Sequence, residues 1–363
     1  MKTMTNFFKS SLPGLIALAA VLLLPVTAAL AQGGGETGAG TNQPNTNRVG
    51  TSGANELLVP LTARYSALGN SITSVLPDMN GIEALYANPA GLAVNTGTSA
   101  LFSRLQYVDD IGMNYFGLAQ RIGDNHLALA ISSWDFGDIL RQTEINPEKA
   151  EATFSVQFIN LGLTYARTLT DRIAAGVTLK VINETIDDLT ATGVVFDAGM
   201  TYVVGESGLR LGVALKNVGN ELQYSGTGLG RRVQLPDQPN NATVNTVVLE
   251  SEGMQYPTLL NFGMSYTRML TGAASMTMLG HFRSNSFEED QFSGGLELGL
   301  REIVYLRGGY EWSRQDNTTW YKGYSLGAGI NMGLAGTQLT LDYALVPTDF
   351  FDNIQYVTLS ATL

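Results

Sequence analysis

The most constraining feature of this chain is an alternation of apolar and polar residues that runs from about residue 98 to residue 363. In the stretch 337–345, for example, leucine and tyrosine side chains alternate with Gln338, Thr340 and Asp342. Successive side chains of a β-strand point to opposite faces, so each stretch has one apolar face and one small or polar face. About fourteen such stretches follow one another. The pattern therefore predicts an all-β protein.

The length of the stretches and the charges on them separate a membrane barrel from a soluble sandwich. Each stretch covers about 9 to 14 residues, whereas strands of soluble proteins typically have five or six. Charged side chains recur in phase with the polar face, and burying them between two sheets would cost several kcal/mol each. In a wet lumen they can be hydrated or paired. These lumen charges are Lys180, Asp197, Arg210, Lys216, Glu297, Arg307, Glu311 and Asp342.

The links between the stretches are sorted by length. Links after even-numbered stretches are tight, whereas several after odd-numbered ones are long, namely residues 137–152, 185–192, 218–255 and 346–353. This sorting is typical of outer-membrane barrels, in which a closed sheet leaves no backbone group unpaired in lipid. Residues 98–363 are predicted to form a transmembrane antiparallel β-barrel of about 14 strands. It would lie in the bacterial outer membrane, against lipid and lipopolysaccharide.

The chain before the barrel divides into three parts. Residues 1–31 have lysines, an apolar run and an Ala29-Leu30-Ala31 motif, which predict a signal peptide; a membrane anchor is the alternative. Residues 32–55 are rich in Gly, Thr and Asn and are predicted to be a flexible leader. Residues 56–97 mix small and apolar residues around an Asn-Pro-Ala-Gly motif. This last part is predicted to form a helical plug in the lumen.

The plug sequence also carries a family resemblance. "YSALGNSITSVLPDMNGIEALYANPAGLA", which begins at Tyr65, resembles the N-terminal signature of the PorV/PorQ family of outer-membrane barrels, relatives of the FadL fatty-acid channels. The likeness continues in "LKNVGNELQY", "YPTLLNFGMSY" and "GLELGLREIVYLRGGYEW". It implies a 14-strand barrel with a lumen element. It further implies an accessory role in type IX-like protein secretion, with a large translocon barrel and secreted cargo as partners. The alternative is a FadL-like channel for a small hydrophobic ligand.

Two groups of residues are candidates for function besides the lumen charges, and each has a plainer interpretation. The FadL resemblance implies that the plug motif acts as a hatch, although Pro and Gly also suit a purely structural turn. The lumen charges could line a substrate path or simply pair across the barrel. The long loop 218–255 could dock a partner or shield the surface. The motif residues are Asn88, Pro89, Ala90 and Gly91, and the loop residues are Arg231, Arg232, Val244 and Leu249.

Composition argues against several other functions. A net charge of −11 makes nucleic acid a poor partner, because phosphate binding needs a basic face. The chain has no cysteine, and its two histidines, His126 and His281, lie in no catalytic motif. The protein is therefore not expected to be an enzyme or to bind a cofactor.

Overall fold

The computed structural model describes residues 48, 50–142, 152–233, 245–313, 322–334 and 336–363. The predicted signal peptide and most of the predicted leader lie outside the described residues. In the part of the chain that is described, no helix combines the length and the apolar character that crossing a membrane requires.

Fourteen long antiparallel strands form a closed barrel, as the alternation predicted. Each strand is paired with its neighbours in the chain, β1 also pairs with β17, and β7 pairs with β11 across the long loop. The barrel strands are β1 (Thr98–Gln106), β2 (Gly112–Ile122), β3 (Asn125–Arg141), β4 (Ala152–Thr170), β5 (Ile173–Ile186), β6 (Leu189–Val204), β7 (Leu209–Gly219), β11 (Leu259–Thr271), β12 (Ala274–Asn285), β13 (Gln291–Leu300), β14 (Val304–Ser313), β15 (Tyr324–Leu334), β16 (Thr337–Val346) and β17 (Ile354–Thr362).

Three short strands occupy the long loop between β7 and β11. β8 (Tyr224–Gly226) adds to the edge of β6, while β9 (Gly230–Val233) and β10 (Asn245–Val248) pair with each other as a separate hairpin. This loop and the other long connections lie at one end of the barrel, which we call the mouth. The opposite end, which we call the turn end, has links of two to four residues. Longer loops face the cell exterior in barrels of this kind.

One predicted long loop is absent. Residues 185–192 were expected to form an extended connection, but β5 and β6 stay paired up to Ile186 and Leu189. Only Asp187 and Asp188 make the turn, and Asp187 adopts a positive φ of 53°. An aspartate tolerates this left-handed conformation in a tight hairpin turn better than most residues do.

The outer face of the barrel is apolar and exposed, as contact with lipid requires. Four aromatic rings form a row across adjacent strands on this face: Phe262, Phe282, Phe292 and Trp312. Their centroids are 6.5, 4.9 and 5.9 Å apart in that order. Such a row matches the aromatic girdle that outer-membrane barrels place at the membrane–water interface.

Residues 50–97, which we call the lumen segment, run through the barrel from end to end. At the mouth, the Gly53 amide donates to the Gln255 carbonyl (3.0 Å); at the turn end, the Gly97 carbonyl accepts from the Arg121 amide (3.0 Å). The last residues of the predicted leader, 50–55, therefore already pack against the barrel. The segment is a chain of single helical turns: Asn55–Leu58, Ala63–Ala67, Ile72–Ser74, Gly81–Ala84 and Pro89–Val94.

Inward-facing glycines let the segment approach the barrel wall closely. A Cβ atom on Gly199 would lie 2.0 Å from Asn88 Oδ1, and one on Gly212 would lie 2.0 Å from the Thr73 carbonyl oxygen. At six further strand glycines, a Cβ atom would also lie within 3 Å of an atom of the segment. The six are Gly117, Gly176, Gly263, Gly295, Gly309 and Gly327. Any larger residue here would collide with the segment, so the inner face of the barrel is complementary in shape to the segment.

Candidate functional site

The Asn88 side chain fastens the lumen segment to the barrel wall. Its Oδ1 accepts from the Ala90 amide (3.0 Å), which caps the turn that begins at Pro89. Its Nδ2 donates to the backbone carbonyls of Thr73 (2.9 Å), Met200 (3.2 Å) and Val213 (3.2 Å). Because Met200 and Val213 belong to the wall strands β6 and β7, Asn88 joins the segment to both. This geometry supports a seating role at least as well as a hatch.

Gly91 lies inside the turn Pro89–Val94. A Cβ atom on Gly91 would lie 2.4 Å from the Ala84 Cβ. Gly91 is therefore required by close packing between two turns of the segment. Pro89 suits the first position of its turn because it has no amide hydrogen to satisfy there.

Three of the eight predicted lumen charges form one network with the lumen segment. Arg64 donates from Nε and Nη2 to the carboxylate of Glu297 at 2.9 and 2.7 Å. Arg307 donates from Nε to Glu297 Oε2 (2.5 Å) and from Nη1 to Asp342. Asp78 takes a further hydrogen bond of 2.9 Å from Arg64. The network is buried except at Asp78, and its charges are paired at close range.

Three of the other lumen charges form a second group nearer the mouth. Lys180 Nζ lies 2.7 Å from Asp197 Oδ2 and also donates to Asn217 Oδ1 at 2.7 Å. Lys216 is buried, and its Nζ lies 3.6 Å from the centre of the Tyr86 ring. These contacts are short, so this group is ion-paired or in cation–π contact.

The last two lumen charges stand apart. Glu311 Oε2 accepts from the Asn70 side chain of the lumen segment (2.7 Å). Arg210 is half-buried on β7. The structure thus places all eight charges on the inner face of the barrel, while their use as a substrate path stays a prediction.

The residues proposed for docking lie in and beside the hairpin of β9 and β10. Arg231 and Arg232 are exposed on β9, and Leu249, just after β10, is 50% exposed. Val244 lies outside the described residues. The described residues of this group form a solvent-facing surface at the mouth, remote from the ion network.

A cavity of about 380 Å³ opens at the mouth between the barrel wall and the start of the lumen segment. Its wall is largely aromatic. Tyr107 and Trp134 meet edge to face with centroids 5.7 Å apart, as do Phe136 and Phe158 at 4.8 Å. A register shift between β3 and β4 at residues 135–138 interrupts the pairing beside these rings. We call this the mouth cavity.

A second, smaller cavity of about 70 Å³ lies deeper, beside the lumen segment. It is lined by Leu57, Leu85, Tyr115 and the Lys180–Asp197 pair, among others. Glu56 lines both cavities and so forms part of the wall between them. The two spaces lie in series along the inside of strands β3 to β5.

Sequence reasoning missed the residues of the mouth cavity. They come from the lumen segment, from β3, β4 and β5 and from the loops, so no local motif unites them. One signal was present: Trp134, Phe136 and Phe158 are three aromatic residues at inward positions of the adjacent strands β3 and β4. Large aromatic rings on the lumen face indicate that something apolar is accommodated there.

The closed barrel, its apolar outer face and its end-to-end lumen segment define a class: this is a β-barrel of the bacterial outer membrane. Comparison of the sequence with models of protein families and with curated proteins finds no match.

Two solved structures with the same fold are FadL-type barrels. The Pseudomonas putida toluene transporter TodX aligns with a TM-score of 0.52 and 11% identity, over 83% of this chain and 96% of TodX. A Pseudomonas aeruginosa FadL homologue aligns with a TM-score of 0.53 and 12% identity, over 84% and 98% of the two chains. Identities this low establish a common fold. The narrower PorV/PorQ assignment rests on the sequence resemblance alone.

Proposed function

We propose that this protein is a channel through which small hydrophobic molecules cross the outer membrane. The observation that carries the proposal is the aromatic mouth cavity, whose 380 Å³ falls within the roughly 300–1,000 Å³ of typical ligand pockets. It opens at the end of the barrel that faces the exterior. The TodX structure, described as a toluene transporter, supports the same proposal through its fold.

The lumen segment sets how a molecule passes beyond the mouth. The deeper cavity of about 70 Å³ is much smaller than the mouth cavity, and the segment forms one of its sides. Strand pairing is continuous around the described barrel wall. Passage toward the turn end therefore requires local displacement of the segment, and the mouth cavity acts as the loading site.

Uptake by intact cells tests the proposal, because the lipopolysaccharide leaflet slows hydrophobic molecules that a simple bilayer would admit. Ethylbenzene accumulation should rise in cells that carry the protein. Val59 lines the mouth cavity, so Val59→Trp should fill it and return accumulation toward the level of cells without the protein. Val248→Trp is the matched control, since Val248 is 71% exposed on β10.

Two results would count against the channel. One is equal uptake with and without the protein. The other is full uptake by Val59→Trp once the variant is shown to be folded. The role in type IX-like secretion stays a prediction from the PorV/PorQ resemblance, and the surface around Arg231, Arg232 and Leu249 is where it would act. Recovery of a very large barrel or of secreted cargo with the purified protein would favour that role.

A further inference from the structure

The mouth cavity contains polar atoms that have no hydrogen-bond partner among the described residues. They are Glu56 Oε2, Glu184 Oε1 and the indole nitrogen Nε1 of Trp134. All three side chains line the cavity, and they are only 7%, 3% and 2% exposed. Buried polar groups are almost always paired in folded proteins, so three unpaired ones around a single cavity indicate a place for a ligand.

In each carboxyl group, one oxygen accepts a hydrogen bond and the other has no donor among the described residues. Glu56 Oε1 accepts from Asn160 Nδ2 at 3.3 Å, and Glu184 Oε2 accepts from the Tyr224 hydroxyl. These bonds fix the orientation of both side chains, and the second oxygen of each has no donor in the described part of the chain. The Trp134 N–H is the complementary group, because an indole can only donate.

The charge at the cavity is acidic. Glu56 and Glu184 line the same space, and Lys180, the cation that acts on Glu56, is held by Asp197 at 2.7 Å. Burial, together with the charge on Glu184, raises the pKa of Glu56 to about 7. An anion in this cavity would therefore meet two acidic side chains.

We propose that the mouth cavity selects hydrophobic molecules that carry a hydroxyl or amino group and discriminates against those that carry a carboxylate. The ligand's apolar part lies against Trp134, Phe136 and Phe158, and its polar head donates to Glu56 or Glu184. A hydroxyl oxygen also accepts from the Trp134 N–H, and an ammonium gains from the negative charge and the aromatic faces. This inference rests on the proposed function, since it names the substrate class of the same site.

Binding of four probes to the purified full-length chain tests the selection. Ethylbenzene, 2-phenylethanol, 2-phenylethylamine and 3-phenylpropanoate share a phenyl ring and a two-carbon chain, and they differ in the head group. The alcohol and the amine should bind about tenfold more tightly than the carboxylate, and several-fold more tightly than ethylbenzene. Titration calorimetry in a nanodisc measures all four under one condition.

Two conservative variants assign the selection to the unpaired atoms. Glu184→Gln can still accept from Tyr224 but has no charge, so the amine should lose most of its advantage over ethylbenzene. Trp134→Phe keeps a ring and removes the N–H, so the alcohol should weaken more than the amine. Glu206→Gln, at an exposed acid in the turn between β6 and β7, is the control and should leave all four affinities unchanged.

The outcomes separate this inference from the channel itself. If ethylbenzene and the alcohol bind but the carboxylate binds equally well, the selection is overturned and the channel stands. If Glu184→Gln leaves the amine unaffected, the selection is likewise overturned. If none of the four probes binds to protein that retains its folded barrel, the proposed channel fails together with the selection.

Discussion

The two ends of the lumen differ in how their buried polar side chains are paired. Toward the turn end, Arg64, Glu297, Arg307 and Asp342 pair with one another at hydrogen-bond distance. At the mouth, three polar atoms face an aromatic cavity without partners. Both regions are formed by the lumen segment and the inner face of the barrel. The difference lies in whether the charges are satisfied within the protein.

This contrast assigns different tasks to the two regions. The four network side chains are paired with one another at short range, and removing one member leaves the others uncompensated. Such a network holds the lumen segment in place. An unsaturated cavity costs stability when empty and regains it when a complementary molecule arrives. The lumen therefore combines a fixed region toward the turn end with a receptive region at the mouth.

The largest expected effect comes from breaking the network at its centre. Arg307→Met should reduce the free energy of unfolding by about 3–5 kcal/mol, because Asp342 loses its cation and Glu297 keeps only Arg64. Urea unfolding in detergent, followed by the gel shift of the folded barrel, measures the change. Arg172→Met, in an exposed turn, should change stability by less than about 0.5 kcal/mol. Equal losses in the two variants would show that the network contributes little.

A smaller effect is expected where the wall meets the segment. Gly199→Ala places a Cβ against Asn88 Oδ1 and should destabilise the barrel by about 1–3 kcal/mol, through overpacking. Protease cleavage within the lumen segment should also become faster, because Asn88 can no longer hold its hydrogen bonds to the barrel wall. Gly280→Ala is the control, because a Cβ there has no neighbour within 4 Å. Unchanged protease resistance of Gly199→Ala would contradict the seating role of Asn88.

The last prediction concerns pH. Burial raises the pKa of Glu83 to about 8 from its ordinary 4.5, although Arg64 opposes the shift from 3.9 Å. The folded chain therefore holds this proton more tightly than the unfolded chain does. Stability should fall as pH rises from about 4.5 to about 8 and then level off.

Replacing the titrating group isolates its contribution. Glu83→Gln cannot lose a proton, so its urea midpoint should depend less on pH between 6 and 8.5 than that of the unaltered protein. Glu206→Gln, at an exposed site, should preserve the original pH dependence. If Glu83→Gln and the unaltered protein show the same slope, Glu83 is not the group responsible.

The two regions also differ in how far the sequence could predict them. About fourteen strands were expected and fourteen form the barrel in the described residues, because lipid on one side and water or plug on the other impose an alternation that is visible locally. The one misplaced loop, residues 185–192, contains polar residues that pair as strands beyond the apolar run. The alternation placed charges such as Glu297 and Arg307 on the inward face, although Arg64, the partner of Glu297, was not singled out.

The mouth cavity could not be assembled from the sequence in the same way. Glu56, Trp134 and Glu184 are separated by dozens of residues and meet only when the barrel closes around the lumen segment. The register shift beside Asp135 has no distinctive sequence signature. Whether a buried carboxylate is paired or left over depends on distances of a few tenths of an ångström. Local patterns carry no information at that scale.

The path of the lumen segment has a consequence for biogenesis. The segment is bonded at the mouth through Gly53 and continues at the turn end into β1, which forms the closing seam with β17. If β1 and β17 paired first, the residues before β1 would have to pass through the closed barrel before Gly53 could bond to Gln255. Strands that wrap around the segment before the seam closes arrive at the same arrangement directly. The segment then serves as an internal template, and variants that loosen it should delay insertion of the barrel.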